Sequence, residues 1–472
     1  MRPNSKSLSV LILCASGGLL LLAGCGGFAL PMSPLSGGFD DGYYDWLPPD
    51  EGAGSGLLDG DDSGKVEPDT SGAAETTPGA ALGEDSGGTG IQAGLLTAGT
   101  FDDNLNLDVF RTFIGDMQQQ ATGGIPSVNL GQRALITVKN EAGNPVGGAM
   151  VTIATAGPGD SSSSLLSVPT STDGVAVFVS GIDAAGAGEV NQFTVTVAPS
   201  DGADPLTVTT DLTNLDWTIV VPGQDATVPP PQLDLAFVID CTGSMGDELE
   251  YLKAEVSNIV DTVAARFPTI ALRYALVCYR DEGDEYVTRS FDFTDSLQDF
   301  QTSISLQSSM GGGDYPEAVH KALQAVRELS WTSGPVARVL FWFADAPPHA
   351  EYAQVAFEKV LGLRASGVRI YPVAASGVAD EAEFLMRTTA MLTGAEYVFL
   401  TDDSGIGNPH AAPHIPCYVV QHLKQVLIRL ITSELAGQRQ YPTAEQILRT
   451  VGNPVDGVCA TTQPVDQQQE QQ

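Results

Sequence analysis

Basic residues are scarce in this sequence. Lysine and arginine together number 22 in 472 residues, whereas aspartate and glutamate number 58, so the formal net charge is −36 and the isoelectric point lies near 4.1. A protein that binds nucleic acid needs a basic surface for the phosphates, and this composition therefore excludes nucleic acid as a partner. It also argues against adsorption to anionic lipid by charge alone. An acidic chain instead attracts divalent cations and basic surfaces.

The apolar run at the N-terminus is too short to span a membrane. It covers Leu8–Leu22 and follows the positive residues Arg2 and Lys6. A spanning helix needs about 20 apolar residues. A short positive region followed by a short apolar run is instead typical of a secretory signal.

The end of this run, Leu22-Ala23-Gly24-Cys25, resembles the bacterial lipobox. The resemblance implies that residues 1–24 are a signal peptide that is removed. It further implies that Cys25 becomes lipidated and anchors the mature protein to a membrane of the cell envelope, on its extracytoplasmic side. Gly26, rather than an aspartate, follows the cysteine. The outer membrane or the cell surface is therefore favoured over the inner membrane.

Cysteine is also scarce, and no pair of the six cysteines has the spacing of a zinc site. Cys14 would leave with the signal peptide and Cys25 would be acylated. Four cysteines remain, and they allow three disulfide connectivities. They are Cys241, Cys278, Cys417 and Cys459. We favour a bond between Cys417 and Cys459. For the other two, pairing and buried free thiols both stay open.

Two segments precede the first predicted domain. Residues 25–92 contain 13 acidic residues and one lysine, Lys65, among glycine, proline and serine. Such a stretch buries too little apolar surface to offset the entropy of ordering, so we predict a disordered acidic tether. Residues 93–126 carry a short apolar pattern, which predicts a small helical or strap segment packed on the next domain.

Residues 127–223 are predicted to form an all-β sandwich. Runs such as Ala134–Val138, Phe193–Val197 and Trp217–Val221 alternate apolar and polar side chains between clusters of turn residues. The stretch Val138–Ala149 resembles Ig-like or carboxypeptidase-regulatory-like modules of surface proteins. The resemblance implies a spacer or an accessory binding module without chemistry of its own.

From residue 233 to residue 437 the pattern changes to alternating strands and helices. Leu233–Ile239 is almost entirely apolar, as expected of a buried parallel strand, and is followed by apolar residues at helical spacing. We predict a Rossmann-like α/β domain with a mostly parallel sheet flanked by helices, its last helix over Tyr418–Ala436. Pro372 within a predicted central strand conflicts with this pattern. Residues 438–472 are predicted to be a C-terminal tail.

Asp240, Thr242 and Ser244 follow the first predicted strand of this domain at alternate positions. Ligands of open parallel sheets bind at the carboxyl ends of the strands. Mg²⁺ prefers oxygen ligands, which one carboxylate and two hydroxyls supply. Helix capping is the alternative interpretation, but a cap would use one of the three residues.

This element resembles the metal-ion-dependent adhesion site of von Willebrand factor type A domains. The two other loops of that site occur in the same order, as residues 311–318 and residues 345–349. The resemblance implies that Thr242 and Ser244 ligate a divalent cation through their hydroxyls. Asp240 and Asp345 would bind it directly or through water. One coordination position would remain for an acidic side chain of a protein ligand.

Asp314 departs from the family pattern, which usually has threonine at this ligand position. A further carboxylate would reduce the cation's affinity for an acidic ligand. It would favour Ca²⁺ or Mn²⁺ over the otherwise expected Mg²⁺, or hold a closed state. Alternatively, Asp314 only starts a helix, since Pro316 and Glu317 follow it. The sequence leaves both interpretations open.

Three histidines lie in loops that we expect at the same edge of the sheet: His349, His410 and His414. They are candidate accessory metal ligands, because imidazole commonly binds zinc. Pro413 prevents His410 and His414 from sharing a helix face, however, and no carboxylate–histidine zinc motif surrounds them.

The sequence therefore predicts a non-enzymatic lipoprotein that binds a protein ligand through a divalent cation. The main alternative is a structural or assembly component of an envelope complex, in which the metal only stabilises the fold. A hydrolase is disfavoured. Its strand-to-helix nucleophile turn would need glycine two residues before Ser244, where this chain has Thr242.

Overall fold

The computed structural model describes residues 94–120, 123–156, 164–188, 190–313, 315–405 and 409–460. The predicted signal peptide, Cys25, the predicted tether and Asp314 all lie outside the described residues.

The N-terminal and middle parts of the described chain contribute short strands and two helices. The segment before residue 127 forms β1 (Thr97–Phe101) and α1 (Leu107–Gln120). The following elements are β2 (Arg133–Asn140), β3 (Met150–Thr155), β4 (Ser164–Pro169), β5 (Val175–Val179), α2 (Ser180–Asp183), β6 (Gln192–Ala198), β7 (Leu206–Asp211) and β8 (Asp216–Val221).

The C-terminal part alternates longer strands and helices. Its first half contains β9 (Gln232–Asp240), α3 (Gly246–Arg266), β10 (Ala271–Tyr279), β11 (Thr288–Thr294), α4 (Leu297–Ser305), α5 (Val319–Arg327) and β12 (Ala337–Ala344). Its second half contains α6 (Ala353–Ala365), β13 (Arg369–Ala374), α7 (Asp380–Thr393), β14 (Tyr397–Thr401), β15 (Tyr418–His422), α8 (Leu423–Ala436), β16 (Arg449–Val451), β17 (Pro454–Val455) and β18 (Val458–Cys459).

Within the described residues, nine strands form one large sheet in the order β11-β10-β9-β12-β13-β14-β1-β15-β16. Five neighbouring strands of this sheet, β10, β9, β12, β13 and β14, are mutually parallel, and β11 joins β10 antiparallel at one edge. Eight of the nine residues of β9 are buried, because helices cover both faces of a parallel sheet. The predicted mostly parallel α/β fold is confirmed for this part of the chain.

Strand β1 comes from the segment before residue 127 and lies inside this sheet. It pairs antiparallel with β14 on one side, where Gly99 faces Phe399, and with β15 on the other, where Gly99 faces Val420. A Cβ atom on Gly99 would lie 2.4 Å from the Phe399 ring, so only glycine fits there. The sheet of the α/β part is therefore completed by residues far upstream of β9.

The predicted helix over Tyr418–Ala436 is wrong for its first five residues. Tyr418–His422 form β15, and the helix α8 begins only at Leu423. The strand pairs with β1 and β16, and these distant partners outweigh the helical periodicity that the segment shares with the residues after it.

Pro372 lies within β13 in register with Trp342 of β12. On the other side of β13, pairing with β14 begins only at Val373, after the proline. The missing N–H of Pro372 therefore interrupts no ladder with β14, which accounts for a proline in a central strand.

Strands β2–β8 form a three-stranded sheet, β5-β2-β8, and a four-stranded sheet, β4-β3-β6-β7. Apolar side chains of both sheets share one core, in which Phe178, Phe193 and Trp217 pack ring against ring. This core is distinct from the core of the nine-stranded sheet.

Ion pairs of two buried arginines join these strands to the nine-stranded sheet. Arg364 of α6 pairs with Asp183 of α2 at 2.8 Å. Arg369 of β13 pairs with Asp173, between β4 and β5, at 3.0 Å, and also with Glu434 of α8. These contacts fix the orientation of the two parts.

Cys417 and Cys459 form a disulfide, which confirms the pairing that we favoured. The bond joins the start of β15 to the hairpin of β17 and β18. Cys241 and Cys278 are buried free thiols.

Candidate functional site

The loop after β9 is organised around the buried carboxylate of Asp240. The backbone N–H of Thr242 donates to Asp240 Oδ1 at 2.9 Å, and the Thr242 hydroxyl donates to the same oxygen at 2.6 Å. The hydroxyls of Thr242 and Ser244 are 3.2 Å apart. The second carboxylate oxygen, Asp240 Oδ2, is buried and has no hydrogen-bond partner among the described residues.

Asp345 follows β12, the strand next to β9, and its side chain is also buried. Its backbone carbonyl accepts hydrogen bonds from the Tyr315 hydroxyl at 2.8 Å and from the Ala379 N–H at 3.3 Å, which hold the loop in place. Its carboxylate oxygen Oδ1 has no partner among the described residues. The structure thus brings together Asp240, Thr242, Ser244 and Asp345.

The second predicted loop packs directly on the first. Gly243 N–H donates to the Gly311 carbonyl at 3.1 Å, and Met310 N–H donates to the Cys241 carbonyl at 3.1 Å. Gly312 has a φ of +70° and lies so close to Thr242 that a Cβ atom would be 3.1 Å from the Thr242 Cβ. Because glycine adopts positive φ without strain, this residue permits the close approach of the two loops.

Glu317 is a buried acid at this site, whereas its sequence context indicates only the start of a helix. Its side chain is 2% exposed, and Glu317 Oε2 has no hydrogen-bond partner among the described residues. Its backbone N–H donates to the Pro347 carbonyl at 2.9 Å, which ties it to the loop after Asp345. The sequence signal that could have identified it is its position in the same glycine-rich loop.

Burial and mutual repulsion raise the pKa values of three acids here. Burial, reinforced by the charge of Asp345, raises the pKa of Asp240 to about 7. Burial raises the pKa of Asp345 to about 6 against the opposing effect of the Ser244 hydroxyl. Burial and the neighbouring acids, Asp240 first among them, raise the pKa of Glu317 to about 9. Concentrated negative charge of this kind is relieved by a proton or by a cation.

The side chains at the ends of β9 and β12 are two carboxylates and two hydroxyls, which are hard oxygen donors. Among the described residues, no group of three or more histidine, cysteine, aspartate or glutamate side chains is arranged to hold a metal ion. A cation at this site would therefore depend on the hydroxyls of Thr242 and Ser244 as well as on the carboxylates.

The three histidines each contact a different carboxylate. His349 Nε2 lies 2.7 Å from Asp281 Oδ1, and His414 Nδ1 lies 2.8 Å from Glu383 Oε2. His410 lies between two acids, with Nε2 3.1 Å from Glu248 Oε1 and Nδ1 2.9 Å from Asp402 Oδ1. Each histidine thus has its own carboxylate partners.

Residues 234–381, which contain both loops and both aspartates, match the family model described as von Willebrand factor A domain. These residues form a von Willebrand factor A domain. The resemblance to von Willebrand factor type A domains is thus confirmed for this part of the chain.

Two relatives match this chain over a segment about as long as its A domain. The alpha-protein kinase vwkA of Dictyostelium discoideum is 28% identical over 126 residues, which are 26% of this chain and 20% of the kinase. The human von Willebrand factor A domain-containing protein 7 is 34% identical over 119 residues, 25% of this chain and 12% of that protein. The match therefore spans no more than a fifth of the length of either relative.

Among solved structures, BatB from Bacteroides thetaiotaomicron is similar to this chain. The match covers 43% of this chain and 98% of the BatB chain, with 11% identity and a TM-score of 0.30.

No described helix of the present chain combines the length and the apolar character that a membrane crossing needs.

Proposed function

We propose that this chain binds a protein ligand through a divalent cation held by its A domain. The observation that carries the proposal is the pair of buried carboxylate oxygens, Asp240 Oδ2 and Asp345 Oδ1, that lack partners among the described residues. A buried charged oxygen without a partner destabilises the fold, and a bound cation would be a partner for both of these oxygens. The adjoining hydroxyls of Thr242 and Ser244 supply the neutral oxygens that such a site needs.

Thr242 and Ser244 would hold the cation through their hydroxyls, and Asp240 and Asp345 would hold it directly or through water. Asp314 stays a predicted ligand, and we expect Mg²⁺, with Ca²⁺ or Mn²⁺ as alternatives. The bound cation would supply a positive charge at the surface that accepts a carboxylate from the ligand. Such a site would be a metal-ion-dependent adhesion site.

The residues around the cation site determine which oxygens are available to the cation and how much negative charge surrounds it. Thr242 donates both its N–H and its hydroxyl to Asp240 Oδ1, so the other oxygen, Oδ2, stays available. The pKa of about 9 keeps Glu317 protonated near neutral pH until a cation displaces the proton, after which Glu317 adds negative charge close to Asp240 and Asp345. It would lower the affinity of the cation for an acidic ligand, so we expect binding to such a ligand to be moderate and reversible.

The test is calorimetric titration of the full chain, carrying Cys25→Ser to prevent lipidation, with Mg²⁺, Mn²⁺ and Ca²⁺. We expect saturable one-site binding that Asp240→Asn abolishes and that Asp299→Asn, an exposed carboxylate on α4, leaves unchanged. Unchanged cation affinity in Asp240→Asn would refute the site. Addition of a labelled peptide with one glutamate then separates ligand binding, which requires the cation, from a purely structural role of the metal.

The remaining parts of the chain complete the proposal. We propose that Cys25 carries a lipid anchor and that residues 25–92 hold the A domain away from the membrane. Residues 127–223 would act as an Ig-like β-sandwich spacer. Labelled palmitate should enter the wild-type chain in bacterial cells and not the Cys25→Ser chain. Equal incorporation would exclude the anchor.

A further inference from the structure

A groove outside the cation site runs along helix α1. It has a volume of about 520 Å³ and is lined by α1, by the start of α7 and by residues 414–416. Helix α1 contributes two rows of side chains at a spacing of four residues, one apolar and one polar, because residues four apart lie on one face of a helix. The rows are Val109, Phe113 and Met117, and Thr112, Asp116 and Gln120.

The floor of the groove is apolar and rigidly supported. Phe113 and Met117 are buried, and Ile415 closes the opposite wall. The Phe113 ring stands 6.4 Å from the Phe384 ring, and the Arg387 guanidinium lies 4.0 Å from the Phe113 ring centre. Arg387 is itself held by Asp103 at 2.6 Å. The floor is therefore preformed rather than a product of loose side chains.

The rim of the groove is acidic. Asp116 and Asp380 line it and are exposed, and none of the described lining residues is lysine or arginine. The first turn of α7 adds Glu381 next to Asp380. The histidine of the lining, His414, is hydrogen-bonded to Glu383. An apolar floor between two carboxylates is complementary to an apolar side chain flanked by basic ones.

We infer that this groove binds a partner peptide segment in which one or two large apolar side chains are flanked by lysine or arginine. The apolar side chains would cover Phe113, Met117 and Ile415. Lysine and arginine combine a long apolar stem with a terminal charge, so their stems would extend along the groove while their charges reach Asp116 and Asp380.

The chain's own acidic segment is a poor occupant. Residues 25–92 carry 13 acidic residues and one lysine, so Asp116 and Asp380 would repel them. A second copy of this chain, with a net charge of −36, is disfavoured for the same reason. Charge therefore points to a different, basic partner.

The groove adjoins the cation site without sharing a residue with it. Ala379, which precedes α7, donates its N–H to the Asp345 carbonyl at 3.3 Å, and Asp380 is the next residue. The inference stands on the groove alone. A probe without a carboxylate consequently tests it independently of the cation site.

The experiment measures fluorescence anisotropy of a labelled peptide, Lys-Leu-Phe-Leu-Lys-Gly with amidated C-terminus, titrated with the full chain carrying Cys25→Ser. An analogue with glutamate in both lysine positions is the control peptide. We expect the lysine peptide to bind, the glutamate peptide not to bind, and added salt to weaken binding.

Two sets of variants then locate the binding. The double variant Asp116→Lys/Asp380→Lys should weaken binding about tenfold or more, whereas Asp295→Lys/Asp299→Lys, which makes the same change of charge at two exposed carboxylates far from α1 in the sequence, should not. Thr112→Trp should block the groove without a change of charge, and Gln119→Trp, exposed on the same helix but outside the lining, is its control.

The outcomes decide between the groove and general attraction to an acidic protein. Loss in both groove variants with retention in both controls supports the inference. No binding by the parent chain, or equal weakening by Asp295→Lys/Asp299→Lys, overturns it. Asp240→Asn should bind the peptide as well as the parent does, so a failure of the cation site and a failure of the groove give different results.

Discussion

Arg364 of α6 donates hydrogen bonds to both carboxylate oxygens of Asp183 in α2, at 2.8 and 3.0 Å, and each side chain is only 5% exposed. The same guanidinium also donates to the Val177 carbonyl of β5. One buried arginine thereby joins the A domain to the strands that precede it.

Removal of the Arg364 or the Asp183 side chain should destabilise the fold, because it leaves the other charge buried and unpaired. We expect Arg364→Ala and Asp183→Ala each to lower the free energy of unfolding by about 3–5 kcal/mol in chemical denaturation. Arg111→Ala, which breaks an exposed pair with Asp108, is the control and should cause no measurable change. A loss as small as that of the control would mean that the buried pair does not join the two parts.

His410 should make stability depend on pH. Its side chain is 4% exposed. Burial by itself lowers the pKa of His410, but its hydrogen bonds to Glu248 and Asp402 outweigh this effect and raise the pKa above its usual value. The stabilisation by the charged imidazole is thus fully present below the unfolded-state pKa of about 6.5. It is lost as the pH rises through the higher folded-state pKa.

The measurement compares melting temperatures of the parent chain and of His410→Ala. The difference should be larger at about pH 5.5 than at about pH 9, because the charged form is the stabilising one. Using the difference cancels the contributions of the other acids with raised pKa values. A difference that stays constant across this range would show that the imidazole charge is not what holds Glu248 and Asp402.

Gly312 should be intolerant of a side chain. Its φ is +70°, and a Cβ atom would lie 2.7 Å from Glu317 Oε1. We expect the backbone strain in Gly312→Ala to lower the free energy of unfolding by about 1–2 kcal/mol. The variant should also bind the cation more weakly, because the added methyl group displaces the loop. Gly313→Ala is a matched control, since a Cβ there meets nothing within 4 Å. Equal cation affinity in the two variants would contradict the role of this loop.

The A domain should need the upstream segment in order to fold. A chain that begins at Pro231 lacks β1, so β14 and β15 lose the strand that joins them. We expect such a chain to lose its cooperative thermal transition in circular dichroism, whereas a chain that begins at Gly94 retains it. Cooperative unfolding of the shorter chain at a similar temperature would show that β1 is dispensable.

The kinds of element in the α/β part could be predicted from the sequence because their signals are local. The unbroken apolar run of β9 identifies a buried parallel strand without reference to other residues. Asp240, Thr242 and Ser244 follow that strand directly. Their position at its carboxyl end, and their proximity to Asp345 after another parallel strand, follow from the architecture alone.

Only the tertiary structure decided which distant segments meet. Nothing local in Thr97–Phe101 places it between β14 and β15, and Tyr418–His422 became a strand because of partners remote in sequence. The burial of Glu317 beside Asp240 likewise arises from two loops that pack together. Pairing and burial are properties of the surroundings of a residue, and long-range contacts create those surroundings, so no local pattern encodes them.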